Sequence, residues 1–232
     1  GLAYITKREI NLDVVVHFTC RDKNLIGIQA ELLSLYSLGI NNILALTGDP
    51  PAVGDYPFAT AVYEVNALGL IEIIKNLNNA KDYLGNQINT KTDYFVGTAA
   101  STRIVEDKKE FLHLKKKIAS GANFIQTQPI YDFELIKKFI AQTNKLGKPV
   151  ILGILPLVSF NHVEFLNNEV SGISIPNHII KKFENKSSED AEKISKEITL
   201  KLIEYAKQYV NGVCIMIPFN RYKLVLDFLS NL

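Results

Sequence analysis

The sequence predicts an α/β fold on a parallel sheet, a (β/α)8 TIM barrel of which about six strands are present, the first strands preceding the chain. Three observations carry this. Six short apolar runs have the length and β-branched content of strands buried on both faces: Asp13–Thr19, Asn42–Leu46, Tyr94–Ala99, Phe124–Gln128, Pro149–Ile154 and Gly212–Ile217. Segments of helical period separate most of them. A glycine (Gly39, Gly121, Gly147 or Gly212) follows a helical segment and precedes a strand four times. Strands alternating with amphipathic helices imply a parallel sheet covered by helices. An open doubly wound sheet and a closed barrel both fit, but no G-x-G-x-x-G follows the first strand, which disfavours the dinucleotide-type sheet. A barrel needs eight strands, so two would lie upstream of Gly1; the segment Gly1–Lys7 reads as the tail of a helix already under way.

Three helices are legible in detail. Leu25, Ile28, Leu32 and Leu35 share a face, with Asn24 as N-cap and Gly39 as the stop. Phe111, Leu114 and Ile118 form a second face, opened by the capping-box pattern Asp107-x-x-Glu110 and closed by Gly121. Ala191, Ile194, Ile198, Leu202 and Tyr205 form a third, after Ser187-Ser188.

Composition bounds the function. The chain has 232 residues, 47% hydrophobic, enough for one domain over 1–232 with a sizeable core. Its 26 basic and 24 acidic residues balance, so nothing points to nucleic acid or an anionic membrane surface. Cys20 and Cys214 each sit in an apolar run and read as buried reduced thiols of a cytoplasmic protein. Neither a signal peptide nor a membrane-spanning apolar stretch is legible. The four histidines, His17, His113, His162 and His178, lack close metal-ligand spacing, and no P-loop, G-x-S-x-G or paired-cysteine motif occurs.

The informative feature is what ends each strand. The runs finish His17-Phe18-Thr19-Cys20-Arg21-Asp22, Thr47-Gly48-Asp49-Pro50, Gly97-Thr98-Ala99, Gln126-Thr127-Gln128-Pro129, Gly153-Ile154-Leu155-Pro156 and Pro218-Phe219-Asn220-Arg221. Polar groups of mixed chemistry thus collect at the C-terminal ends of parallel strands, where barrels and open α/β sheets place their sites. Each residue also has a structural explanation: Asp49 an Asx turn, Gln128 a strand-end hydrogen bond, Phe160 core, His17 an interior histidine, Lys115-Lys116-Lys117 a solvated helix face, Arg221 an ion pair. Residue chemistry alone reaches a barrel enzyme with a mixed polar and aromatic site.

These motifs, together with Leu44-Ala45-Leu46 before Thr47 and Gly121-Ala122-Asn123-Phe124-Ile125 before Gln126, resemble methylenetetrahydrofolate reductases over nearly the whole chain. The wording is similar to the bacterial branch that includes reductase domains fused to a homocysteine methyltransferase. The resemblance implies a (β/α)8 barrel that binds FAD and reduces 5,10-methylenetetrahydrofolate to 5-methyltetrahydrofolate with NADH or NADPH, as a homo-oligomer or part of a fused methyltransferase. It implies flavin contacts from His17, Leu46, Thr47, Gly48, Asp49, Phe58, Ala59, Gly97 and Ala99. Glu110, His113, Lys116, Lys117 and Gln126 would hold the ribose, pyrophosphate and adenine side. The Lys116 position can also be arginine in the family, so a bidentate contact is weakened here. Asp49 and Gln128 would be catalytic, and Asp49, Gln128, Phe160 and Arg221 would hold the folate; no metal is implied. The family's acid is a glutamate on the first barrel strand, which this reading places upstream of the chain, so neither Glu64 nor Glu164 takes that role. The alternatives are a different pterin-binding barrel, such as a folate methyltransferase domain, and a non-catalytic flavin- or folate-binding barrel.

Overall fold

The computed structural model describes residues 1–230, which divide into two compact units: Gly1–Ala99 with His113–Phe124, and Ala100–Leu112 with Ile125 onward. In unit one a short helix α1 (Leu2–Ile5) continues as a π-turn over Thr6–Ile10, the helical start that the sequence suggested. Strand β1 (Val15–Thr19) pairs in parallel with β2 (Asn42–Leu46), and β2 with β3 (Phe95–Ala100). Helices α2 (Leu25–Ser37), α3 (Ala67–Asn78) and the second part of α4 (Lys108–Ser120) belong with them. In unit two β4 (Phe124–Pro129), β5 (Val150–Ile154) and β6 (Gly212–Ile215) pair in parallel in that order. Between and after them run α5 (Phe133–Thr143), α6 (Phe160–Glu169), α7 (Asn177–Phe183), α8 (Ser188–Ala206) and α9 (Tyr222–Leu229).

Strand neighbours follow chain order within each unit. A doubly wound sheet reverses its strand order at a switch point, whereas a barrel does not. The fold class is therefore α/β of the (β/α)8 type, with six parallel strands among the described residues.

Local chemistry explains the elements. Asn24 accepts from Gly27 N at 2.8 Å to cap α2, whose Ile28 and Leu32 are fully buried. Asn66 accepts from both Leu68 N and Gly69 N, starting α3. Its apolar residues run almost continuously, so no helical face stood out in the sequence, and Leu70, Ile71, Ile73, Ile74 and Leu77 are all buried. Ser187 caps α8 through Asp190 N. The capping box expected on α4 forms only in part. Asp107 accepts from Lys109 N, but the Asp107 N–H already donates to Arg103 O at 2.8 Å, so the preceding 3-10 turn satisfies the donor assigned to Glu110.

Gly39, Gly121 and Gly147 have φ of 75°, 130° and 61°, the left-handed turns expected after helices. Gly212 instead opens β6. Cys20 is buried and its thiol is pushed up to about 11 by desolvation, but Cys214 is only half-buried because β6 is incompletely covered.

Asparagines tie the strand starts. Asn123 donates its N–H to Val96 O and accepts Val96 N–H on Oδ1, at 2.7 and 2.8 Å. Asn211 does the same to Val150, at 3.0 Å for both bonds. One side chain each thus ties the end of unit one to β3 and the entry of β6 to β5.

Candidate functional site

In unit one the parallel register sets His17 beside Leu44 and Leu44 beside Gly97, one row across three strands. Leu46 pairs with Thr19 one layer further on, and Thr98, next to Ala99, pairs with Ala45. The strand-end residues named in the sequence thus share one edge of this sheet. His17 is exposed at its ring, yet partial desolvation lowers its pKa.

Beyond β2 the chain turns through Gly48, whose φ of 91° suits glycine; a Cβ there would meet Arg21 Cβ and Thr19 Cβ at 3.1 Å. Three further contacts hold the turn. Tyr63 Oη donates to Gly48 O at 3.1 Å, Arg21 Nη1 to Asp49 O at 3.2 Å, and Ala67 N to Thr47 Oγ1 at 3.1 Å. The first two use main-chain carbonyls, so building the turn does not spend the carboxylate of exposed Asp49. Thr47 and Gly48 also open onto a cavity of about 610 Å³ that Tyr63 and Glu64 help to line. Tyr63 sits at φ 46°, a costly conformation for a bulky side chain and one that sequence pattern does not signal. Glu64 accepts from Leu25 N at 2.7 Å and so caps α2.

Lys117 Nζ donates to Ala99 O at 3.2 Å, joining a residue of α4 to the end of β3. Glu110, His113 and Lys117 fall at helical spacing on one face of α4, and Lys116 is exposed. Gly97 is buried for a particular reason. A Cβ on it would lie 2.1 Å from Phe124 Cζ, so its missing side chain is space filled by the Phe124 ring, itself stacked on Phe95 at 5.5 Å. Phe58 is 98% exposed and Ala59 is also exposed, in a proline-containing loop; the structure does not bring this pair against the other residues of the set.

In unit two Gln126 is buried in β4 and pairs with Ile151, but the next register pair is Pro129 with Gly153. Three steps along β4 thus match two along β5, a bulge that re-aims Gln128. Thr127 Oγ1 accepts from Gly153 N at 2.9 Å and donates to Gln128 O at 2.6 Å. A Cβ on Gly153 would lie 2.5 Å from Thr127 O, which explains the glycine of Gly153-Ile154-Leu155-Pro156. Phe160 begins α6, half-buried, behind the Ser159 cap. Arg221 is exposed and pairs with Glu192 at 3.0 Å. Phe219 and Asn220 before it both have positive φ, 48° and 59°, and His162 packs edge-on to Phe219 at 4.9 Å.

Among the described residues no cluster of three or more His, Cys, Asp or Glu is placed to hold a metal, and no helix is long and apolar enough to cross a membrane. Polar groups collected at the C-terminal ends of parallel strands are the arrangement in which folds of this class place their sites. The sequence model of the family described as methylenetetrahydrofolate reductase matches residues 1–232, and the chain belongs to that family. It is 29% identical over 186 residues to methylenetetrahydrofolate reductase 1 of Schizosaccharomyces pombe, covering 78% of this chain and 28% of that protein. A probable methylenetetrahydrofolate reductase (NADPH) of Caenorhabditis elegans is 26% identical, over 95% of this chain and 32% of its own length. The 5,10-methylenetetrahydrofolate reductase of Buchnera aphidicola subsp. Schizaphis graminum is 26% identical, over 80% and 58%. The chain thus spans about a third of the eukaryotic relatives it matches. Among solved structures, a protein from Clostridium thermocellum described as binding two copies of 5-methyl-5,6,7,8-tetrahydrofolic acid superposes with a TM-score of 0.61 at 16% identity, covering 97% of this chain and 75% of that one. The likeness is one of fold.

Proposed function

We propose that this chain contributes the catalytic barrel of a flavin-dependent reductase that converts 5,10-methylenetetrahydrofolate to 5-methyltetrahydrofolate, with NADH or NADPH as donor. Family membership supports the reaction class. The observation that carries the reading is the Thr47-Gly48-Asp49 turn, braced through its carbonyls by Tyr63 and Arg21 while the Asp49 carboxylate stays available.

The residues present fit FAD. Lys117 is drawn to the end of β3 beside Ala99, and a lysine is a usable point-charge partner for a pyrophosphate. His17, Leu46, Thr47, Gly48 and Gly97 occupy neighbouring strand positions or the turn beyond. With Asp49, Phe58, Ala59, Ala99, Glu110, His113, Lys116, Lys117 and Gln126 they are the proposed holders of the cofactor. When bound, FAD supplies hydride transfer between the nicotinamide and the folate.

The chain's own groups do the rest. Hydride acceptance requires the folate to open to a cationic iminium, and the Asp49 carboxylate stabilises that developing charge. Gln128 carries an amide whose donor and acceptor match the mixed edge of a flat ring, and Phe160 offers a ring for stacking. Arg221 takes a carboxylate of the folate tail, exchanging its exposed pairing with Glu192.

The full-length protein reconstituted with FAD should show a bound-flavin spectrum and turn over 5,10-methylenetetrahydrofolate with one of the two nicotinamides. A protein that takes up no flavin and reduces no folate overturns the reading. In Asp49→Asn the folate half-reaction should slow by about 10- to 1,000-fold, the scale of losing one preorganised electrostatic partner. Flavin reduction should be far less affected; equal slowing of both half-reactions in stopped-flow would reduce Asp49 to a structural residue.

A further inference from the structure

We propose that the Ser171–Gly172 turn and Thr102 are positioning elements that set which way round the Gln128 amide faces. This rests on the reading of Gln128 as a ring-recognising residue. The backbone of Gln128 is placed by the β4 bulge, but its amide is held from the turn that follows α6. Gln128 Nε2 donates to Ser171 O at 3.1 Å, and Thr102 Oγ1 donates to Gly172 O at 2.8 Å. Two successive carbonyls of the turn are thus tied, one to the amide and one to an independent anchor.

A carbonyl only accepts, so Ser171 dictates that nitrogen faces it; the flipped amide would oppose two oxygens. Oε1 is then directed at Gly172. It is buried and has no hydrogen-bond partner, and a Cβ on Gly172 would lie 2.3 Å from it. Gly172 has φ 88°, so backbone geometry and space both select glycine. The turn therefore pre-sets an amide with its donor engaged and its acceptor unsatisfied, an arrangement that costs free energy until a donor reaches Oε1. Ligands whose ring edge carries N–H groups supply that donor, and the turn must yield as they do so. Rings that offer only acceptors gain nothing from this arrangement.

The test uses the full-length flavin-loaded protein and 5-methyltetrahydrofolate as the equilibrium-binding probe. Gln128→Ala and Gly172→Ala should each weaken binding by about 5- to 50-fold, the scale of one buried hydrogen bond disturbed. In the double variant Gly172→Ala should add less than about twofold, since the turn acts through the amide. The side-chain amide resonance of Gln128, assigned in 15N-glutamine-labelled protein by its loss in Gln128→Ala, should move in Gly172→Ala. It should also move in Thr102→Val and return in Thr102→Ser, a pair that carries the test if Gly172→Ala fails to fold. Independent, multiplicative losses or an unmoved resonance overturn the proposal on its geometry. A Gln128→Ala variant that binds normally overturns it instead through the reading of Gln128, whatever the resonance does.

Discussion

Single residues here are explained by what lies across the sheet from them. Arg21 stands within a motif legible in the sequence, yet its role on the Asp49 carbonyl emerges only when β1 and β2 pair. Gly97 gives the sharper case. By resemblance it faces a flavin, while in the fold its absent side chain is the seat of the Phe124 ring. Gly97→Ala should therefore destabilise unit one by about 1–3 kcal/mol, as overpacking does in a filled core. Phe124→Leu in the same chain should recover part of the loss by removing the atoms that collide. Urea unfolding of the parent, the single variant and the double variant measures this, and a Gly97→Ala protein as stable as the parent would show that Phe124 moves aside without cost.

At the scale of elements, strand and helix positions were largely legible. All six apolar runs became strands, Asn42–Leu46 with the same bounds and the others with shifted ends, because continuous β-branched runs bounded by turn residues have few other stable uses in a covered sheet. Asn24 caps as read, since a cap depends only on residues within one turn, and Ser187 of the serine pair before the third helix caps that one. The asparagine clamps were not legible, because Asn123 and Asn211 look like ordinary turn residues until the preceding strand is alongside. Each satisfies a main-chain N–H of that strand with its side chain. Asn123→Ala and Asn211→Ala should each cost about 1–3 kcal/mol by stranding that N–H. Aspartate at either position retains the acceptor oxygen and should cost less. Chemical denaturation ranks them, and equal stability of the Ala and Asp variants would remove the clamp from the explanation.

At the scale of the whole molecule, stability should depend on pH through two histidines. Desolvation lowers the pKa of His17, and desolvation with the nearby Arg221 charge lowers that of His162. His162 also accepts Val158 N–H on Nδ1, which its neutral form allows. Above about pH 6.5, the ordinary histidine value, both rings are neutral folded or unfolded and contribute nothing to the pH dependence. As pH falls below that value the unfolded chain binds protons that the folded chain refuses, so stability declines until the folded pKa values are passed. The urea midpoint should fall between pH 7.5 and about 5.5, and His162→Gln should flatten part of the slope. Asp22, Asp82 and Glu197, held low mainly by hydrogen bonds, act in a separate window below the ordinary carboxylate range near about 4. A midpoint independent of pH across the upper window would mean that neither histidine is kept neutral by the fold.

The sequence by itself determined the α/β class, the six strands, the capped helices and the family, because each is written in local pattern: apolar runs, helical period, caps, left-handed glycines and contiguous motifs. It also brought most candidate residues to strand ends, since parallel strands place those ends on one edge. What only the tertiary structure decided lies in contacts between distant segments. Gln128 and Ser171 are 43 positions apart, and Arg21 and Asp49 are 28. No periodicity announces such pairs. A bulge between β4 and β5, a tyrosine held at positive φ and a glycine under a phenylalanine ring are chosen by packing and by hydrogen-bond satisfaction once distant segments meet.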